Sequence, residues 1–169
     1  MSIWWSLHLR REAASVPLAR RLLLGTMETA GVDPDISYDL SVALSEACAN
    51  AVEHGGGTAH GGCSEAYRVT AYLDGEKCRI EVADSGPGFA GDRGARAVHA
   101  DGAYAEPVHA DAVHADGACA EAEHGRGLYL IQALADHVHI GNRPGRGGAV
   151  VSFDKILKWR KNAPLVTAS

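Results

Sequence analysis

The sequence predicts an α/β sandwich, in which helices cover one face of a mixed, mainly antiparallel sheet. Three observations predict it: two successive helical apolar patterns near the start, an alternating hairpin in the middle, and a helix followed by two strands near the end. The chain has 169 residues, which suits one domain with its own core. We expect residues 1–155 to form that domain and 156–169 to form a basic tail.

The chain opens with a predicted strand and helix. Residues 2–10 are aromatic-rich and partly alternating, which is typical of a strand. The helix that follows has Pro17 near its start and Gly31 near its end. We expect it to bury one face, which carries Leu18, Leu22, Leu23 and Met27.

A longer helix is predicted next. Asp33 or Asp35 is its expected N-cap, and the pattern ends near His54. Its predicted buried stripe consists of Ile36, Leu40, Ala43, Leu44, Ala47 and Ala51.

After the longer helix, the sequence predicts a hairpin, a helix and two closing strands. Residues 67–84 alternate around an Asp-Gly turn signal, which indicates a hairpin. A helix from Gly127 to about Asp136 precedes strands at 138–142 and 148–155.

An insert rich in Ala, His and Asp is predicted at about residues 91–123. The sequence VHADGAYAE at 98–106 recurs as VHADGACAE at 113–121, and each copy is too small to build a core. Because the insert has few bulky apolar residues, we expect it to be mobile. Its three HxD units offer metal-ligand chemistry without fixed geometry, so we do not predict a metal site there.

Composition and charge narrow the function. The formal net charge of −5 argues against direct binding to nucleic acid or to an anionic membrane. No apolar run approaches the roughly 20 residues of a membrane span, and the order of residues at the start is unlike that of a signal peptide. Four cysteines without a CxxC pair favour reduced thiols in a cytoplasmic protein.

The longer helix carries the first polar motif. Glu46 and Asn50 lie four residues apart and share a helix face, which His54 extends. A carboxylate and a carboxamide placed this way, opposite the apolar stripe, suit a hydrated Mg²⁺ and a poised hydroxyl or water. Taken alone, a solvated helix face explains the pattern better.

The second motif comes directly after a predicted strand and contains Asp84, Gly86 and Gly88. Its glycines let the backbone approach a flat ligand, while the carboxylate accepts a hydrogen bond from an exocyclic amine. An ordinary turn is the alternative.

The third motif opens the last predicted helix. Gly125 and Gly127 leave backbone N–H groups and the positive helix end facing an anion, and Arg126 adds charge. A glycine hinge is the alternative.

The three motifs in this order resemble the N, G1 and G2 boxes of the GHKL (Bergerat-fold) ATPase superfamily. Within it, SEACANAVEHG and HGRGLYLI are most similar to the anti-sigma-factor serine/threonine protein kinases, and the resemblance runs from about Leu7 to Phe153. It implies ATP and Mg²⁺ as cofactors. It also implies transfer of the γ-phosphate to a Ser or Thr of an anti-anti-sigma (STAS-type) protein, and sequestration of a sigma factor.

The resemblance implies a role for each matched residue. Glu46 is implied as the general base, Asn50 as the Mg²⁺ ligand, and Asp84 as the acceptor for the adenine amine. The insert takes the place of the ATP lid. The other implied nucleotide-binding residues are His54, Gly86, Gly88, Gly125, Arg126, Gly127 and Leu128.

Two departures from the family leave alternatives open. Ala149 follows Gly148 where the family commonly has a threonine that helps to hold the adenine, and the lid composition is unusual. A non-catalytic nucleotide-binding partner switch is the first alternative. A detached histidine-kinase ATPase domain is the second, although no helix pair with a phosphoacceptor histidine is found.

The two ends of the chain receive plainer interpretations. Trp4 and Trp5 are interpreted as one edge-facing and one core-facing aromatic, with a partner-binding patch as the alternative. The resemblance implies a homodimer contact near this first strand. A solvated tail is predicted to carry Lys155, Lys158, Arg160 and Lys161.

Overall fold

The computed structural model describes residues 2–55, 66–85, 96–98, 118–143 and 148–161. Within these ranges the chain forms three helices and six strands. In chain order they are β1 (Ile3–Arg10), α1 (Ser15–Ala30), α2 (Pro34–His54), β2 (Ala66–Leu73), β3 (Lys77–Ala83), β4 (Arg96–Val98), α3 (Ala118–Leu134), β5 (His137–Asn142) and β6 (Ala149–Ile156).

The strands form one sheet in the order β1-β2-β3-β6-β5-β4. Each neighbouring pair of described strands is antiparallel. The helices form one layer, in which α1 packs on α2 and α2 packs on α3, and α2 also contacts β2, β3 and β6. The predicted α/β sandwich is confirmed, and its described sheet is antiparallel throughout rather than mixed.

The central helix α2 forms as predicted. Asp33 is its N-cap, since its carboxylate accepts a hydrogen bond from the Asp35 N–H at 2.9 Å. Pro34 occupies the first turn, where its missing N–H has no helical partner to lose. The whole predicted stripe is buried, and it consists of Ile36, Leu40, Ala43, Leu44, Ala47 and Ala51.

Helix α1 buries a narrower face than the sequence predicted. Leu18 and Leu22, expected inside, are 59% and 38% exposed. Consecutive residues lie about 100° apart on a helix, so Leu22 and Leu23 cannot share one narrow face. The buried face consists of Ser15, Ala19, Leu23 and Met27.

Helix α3 begins at Ala118, whereas the sequence predicted a start at Gly127. The preceding residues, ACAEAE, are mostly Ala and Glu, which are strong helix formers, and their propensity outweighs that of two glycines. Gly125 and Gly127 therefore lie inside the helix.

Strand β4, which falls within the predicted insert, pairs with β5. Most of both repeat copies lies outside the described residues, so the expected mobility of the insert stays a prediction.

The segment after β6 is docked rather than solvated. Leu157 is buried, Trp159 forms a bridge with Val32, and the Asp33 N–H donates to the Lys158 carbonyl at 2.8 Å. These contacts satisfy backbone groups of the loop between α1 and α2. The backbone of this segment is therefore docked, although Lys158, Arg160 and Lys161 are exposed as the solvated-tail prediction expects; residues 162–169 lie outside the described part of the chain.

The tryptophans of edge strand β1 divide as interpreted. Trp4 is 65% exposed. Trp5 packs partly against the core, and its Nε1 donates to Thr26 Oγ1 at 3.2 Å.

Candidate functional site

The polar face of α2 meets α3 at a glycine. A Cβ placed on Gly127 would lie 3.1 Å from Glu46 Oε2 and 3.4 Å from Asn50 Oδ1. Gly127 is buried, and Glu46 and Asn50 are half-buried. The two side chains therefore lie beside the apolar stripe and between two helices. The solvated-face alternative is therefore wrong for Glu46 and Asn50, and so is their expected position opposite the stripe, whereas His54 is exposed.

The Asn50 carboxamide is the unusual group at this contact. Its Nδ2 atom is buried and has no hydrogen-bond partner among the described residues. Leaving a buried amide group unpaired costs about 1–3 kcal/mol, so such an atom indicates where a ligand supplies the missing partner. A 180° turn of the carboxamide exchanges its nitrogen and oxygen, so this position offers either a donor to a phosphate oxygen or an acceptor to a cation.

The second part of the site lies where β3 ends beside the start of β6. Asp84 is 8% exposed, and its Oδ1 accepts a hydrogen bond from the Ala149 N–H at 3.0 Å. The Asp84 N–H donates to the Ala149 carbonyl, also at 3.0 Å. Position 149 thus fixes the aspartate through its backbone, and this contact does not depend on the side chain there.

Two glycines that the sequence does not indicate as site residues lie against Asp84. Gly148 has a φ of 110°, and a Cβ there would overlap the Asp84 carbonyl oxygen. A Cβ on Gly55, which follows α2, would lie 3.0 Å from the Asp84 Cβ. Gly55 comes five residues after Asn50, about 7.5 Å along a helix axis. Both parts of the site therefore lie along the last turns of α2.

The remaining side chains predicted for the site are less closely gathered. His54 lies 3.5 Å from Glu53, measured between Nε2 and Oε2, and its side chain is 41% exposed. Arg126 is exposed on α3, and Leu128 packs partly against the core.

Of the three remaining glycines predicted for the site, one lies among the described residues. Gly125 lies within α3, one turn closer to its start than Leu128. Gly86 and Gly88 lie outside the described residues. Their predicted roles stay predictions.

The thiol on α2 is not part of the candidate chemistry. Cys48 lies between the two site residues in sequence but is fully buried in the core. Burial raises the pKa of its thiol to about 12, and a hydrogen bond with Tyr67 offsets this only partly. The Tyr67 hydroxyl also shares a 2.7 Å hydrogen bond with Ser15 Oγ. A protonated, enclosed thiol is a poor nucleophile and a poor metal ligand.

Two other kinds of site are not found in the described ranges. No group of three or more His, Cys, Asp or Glu side chains there is arranged to hold a metal ion. No helix there combines the length and apolar character needed to cross a bilayer.

Comparison with known proteins identifies one family. A family model described as "Histidine kinase-like ATPase domain" matches residues 9–155. The crystal structure of the RsbU and RsbW domains of Rv1364c from Mycobacterium tuberculosis is similar, with a TM-score of 0.59 and 21% identity over 93% of this chain and 33% of that chain. This likeness concerns the fold alone, and our chain spans a third of that structure. No curated protein gives a match.

Proposed function

Because the chain belongs to the histidine kinase-like ATPase domain family, we propose that it binds ATP with Mg²⁺ where α2, α3 and the adjoining ends of β3 and β6 meet. The observation that carries this proposal is the buried Asn50 Nδ2 atom, which has no partner among the described residues and lies against Gly127 near Glu46. A carboxylate, a carboxamide and a closely approaching glycine fit the phosphate end of Mg·ATP.

The base end of the proposed site is the Asp84 carboxylate. The Ala149 N–H fixes one of its oxygens, and we assign the carboxylate to accept a hydrogen bond from the adenine amine. The family's threonine contact is missing at Ala149, which weakens binding by about 1 kcal/mol. Because Ala149 still holds Asp84 through its backbone, the base pocket is retained.

The phosphate end of the proposed site lies between the two helices. Asn50 would hold the Mg²⁺ through its side-chain oxygen, and the bound cation would neutralise charge on the phosphates. Arg126 is exposed and would add positive charge. Because α3 begins at Ala118, the N–H groups of Gly125 and Gly127 lie in its helical part. Gly127 therefore serves by letting α3 approach Glu46, rather than by leaving its N–H free at a helix start.

The proposed reaction is transfer of the γ-phosphate to a serine or threonine hydroxyl of an anti-anti-sigma protein. Glu46 accepts the hydroxyl proton as the oxygen attacks the γ-phosphorus and ADP leaves. We propose that the same chain sequesters a sigma factor and pairs as a homodimer. Support comes from the motif resemblance and from the fold shared with a structure that contains an RsbW domain.

Glu46→Gln tests the catalytic assignment. We expect transfer from γ-labelled ATP to a STAS-type anti-anti-sigma protein to fall at least about 100-fold, while ATP affinity changes less than about threefold. Glu53→Gln is the matched control, since it lies on the same helix and its side chain is 57% exposed. Undiminished transfer by Glu46→Gln would remove Glu46 from the mechanism.

Two outcomes with the wild-type protein support the alternatives. ATP binding without transfer to any protein supports the non-catalytic switch, which the absence of the family's threonine at Ala149 favours. Transfer to a histidine side chain supports the detached histidine-kinase domain.

A further inference from the structure

A lysine on β6 joins α2 to α3 at a distance from the candidate site. Lys155 pairs in register with the fully buried Cys78, so its side chain points toward the helix layer. Its Nζ lies 3.3 Å from Asp39 Oδ2 on α2 and donates to the Leu134 carbonyl of α3 at 2.6 Å. Its side chain is only 14% exposed, so Lys155 does not belong to the solvated tail that the sequence predicted.

The residues that Lys155 joins lie on the same helix faces as the residues of the candidate site. Asp39 comes seven residues before Glu46, so both lie on one face of α2. Leu134 comes seven residues after Gly127, so both lie on one face of α3. The two helices are therefore linked twice, directly at Gly127 and through the Lys155 ammonium group between Asp39 and the Leu134 carbonyl.

We propose that Lys155 is a positioning residue, which sets the spacing between α2 and α3 so that Gly127 rests against Glu46 and Asn50. The inference rests on the proposed function, because that function gives the spacing its purpose. An ammonium group at the carboxyl end of a helix complements the helix dipole, and the paired Asp39 carboxylate attaches the same group to α2. Loss of the ammonium group would leave the two helices free to shift against each other.

The end of α3 is also held to β6 without this lysine. The Asp136 N–H donates to the Asp154 carbonyl at 2.9 Å, and the Ile156 N–H donates to Asp136 Oδ2 at 2.6 Å. Lys155→Met is therefore expected to fold, because it keeps the length of the side chain and these backbone contacts.

Hydrogen exchange on the nucleotide-free protein tests directly whether Lys155 holds α3 in place. We expect amides of residues 126–134 to exchange about tenfold faster in Lys155→Met, with β2 unchanged and with Lys155→Arg close to wild type. Lys158→Met is the matched control, since this neighbouring lysine is exposed. Unchanged exchange in α3, or an equal rise in every element, would overturn the inference.

Calorimetry with Mg·ATP tests whether the position that Lys155 gives to α3 supports nucleotide binding. Lys155→Met should bind about tenfold more weakly than wild type, and Lys155→Arg should recover to within about threefold. If wild type binds and Lys155→Met binds equally well, the inference fails while the proposed function stands. If wild type does not bind, the proposed function fails, and hydrogen exchange alone decides whether Lys155 positions α3.

Discussion

The two ends of the candidate site are built in different ways. At the base end, Asp84 makes two hydrogen bonds with the backbone of Ala149, one through its own N–H and one through its carboxylate. These two bonds fix the carboxylate beside β6. At the phosphate end, side chains of α2 meet a glycine of α3, and the Asn50 amide nitrogen has no partner among the described residues. The folded chain itself supplies the hydrogen bonds that hold Asp84 at the base end. At the phosphate end, we infer that a ligand supplies the partner that Asn50 lacks among the described residues.

The largest expected effect comes from breaking the base end with Gly148→Ala. A Cβ there would overlap the Asp84 carbonyl oxygen, and the φ of 110° disfavours any side chain. We expect the free energy of unfolding to fall by about 2–4 kcal/mol in urea denaturation.

Gly25→Ala is the matched control for that substitution. Gly25 lies within α1, and a Cβ there would have no heavy atom within 4 Å. We expect it to raise stability by about 0.5–1 kcal/mol. Equal stability of the two variants would show that Gly148 is not needed to hold Asp84.

A smaller change of opposite sign is expected at the phosphate end with Asn50→Leu. Removing an unpaired buried amide should raise the free energy of unfolding by about 1 kcal/mol, while binding of Mg·ATP is lost. Denaturation and calorimetry on the same sample measure both effects. A loss of stability instead would mean that the carboxamide is satisfied within the folded chain, which contradicts the contrast between the two ends.

The smallest change in stability is expected for Gly127→Ala. Alanine favours the helix interior by about 1 kcal/mol, and the crowded atom is the flexible end of Glu46, so we expect a net change within about 0.5 kcal/mol. Affinity for Mg·ATP should nevertheless fall about tenfold, because Glu46 and Asn50 must move aside. Unchanged affinity in calorimetry would separate Gly127 from the phosphate end.

Local patterns were sufficient to predict the central helix. The Asp33 cap and the buried stripe of α2 depend on spacing within a few turns, and both are confirmed. Periodicity alone does not decide which of two adjacent faces of α1 is buried, so the prediction that Leu18 is buried is wrong. The sequence predicts the start of α3 too late because its glycines favour a helix boundary, while the helix propensity of ACAEAE prevails in the structure.

Contacts between distant parts of the chain were less accessible from the sequence. Asp84 and Ala149 meet only because β3 and β6 are neighbours in the sheet, and no local signal gives that register. The same reason hid the tight approach of Gly148. Lys155 resembled a tail residue because its charge was visible in the sequence, whereas its partner on α2 was not. The sequence thus singles out Glu46 and Asn50, which the fold brings beside Gly127, whereas only the fold reveals how Asp84 is held.

Calorimetric titration of Mg·ATP into wild type and Asp84→Asn tests the central claim most directly. The asparagine can keep an oxygen for the Ala149 N–H but presents a donor to the adenine amine, so the fold is retained and recognition is lost. Glu81→Gln, on the same strand, is the control. We expect Mg²⁺-dependent binding by wild type and by the control, and at least about 100-fold weaker binding by Asp84→Asn. No binding by wild type at about 1 mM ATP, or equal binding by Asp84→Asn, would contradict the account.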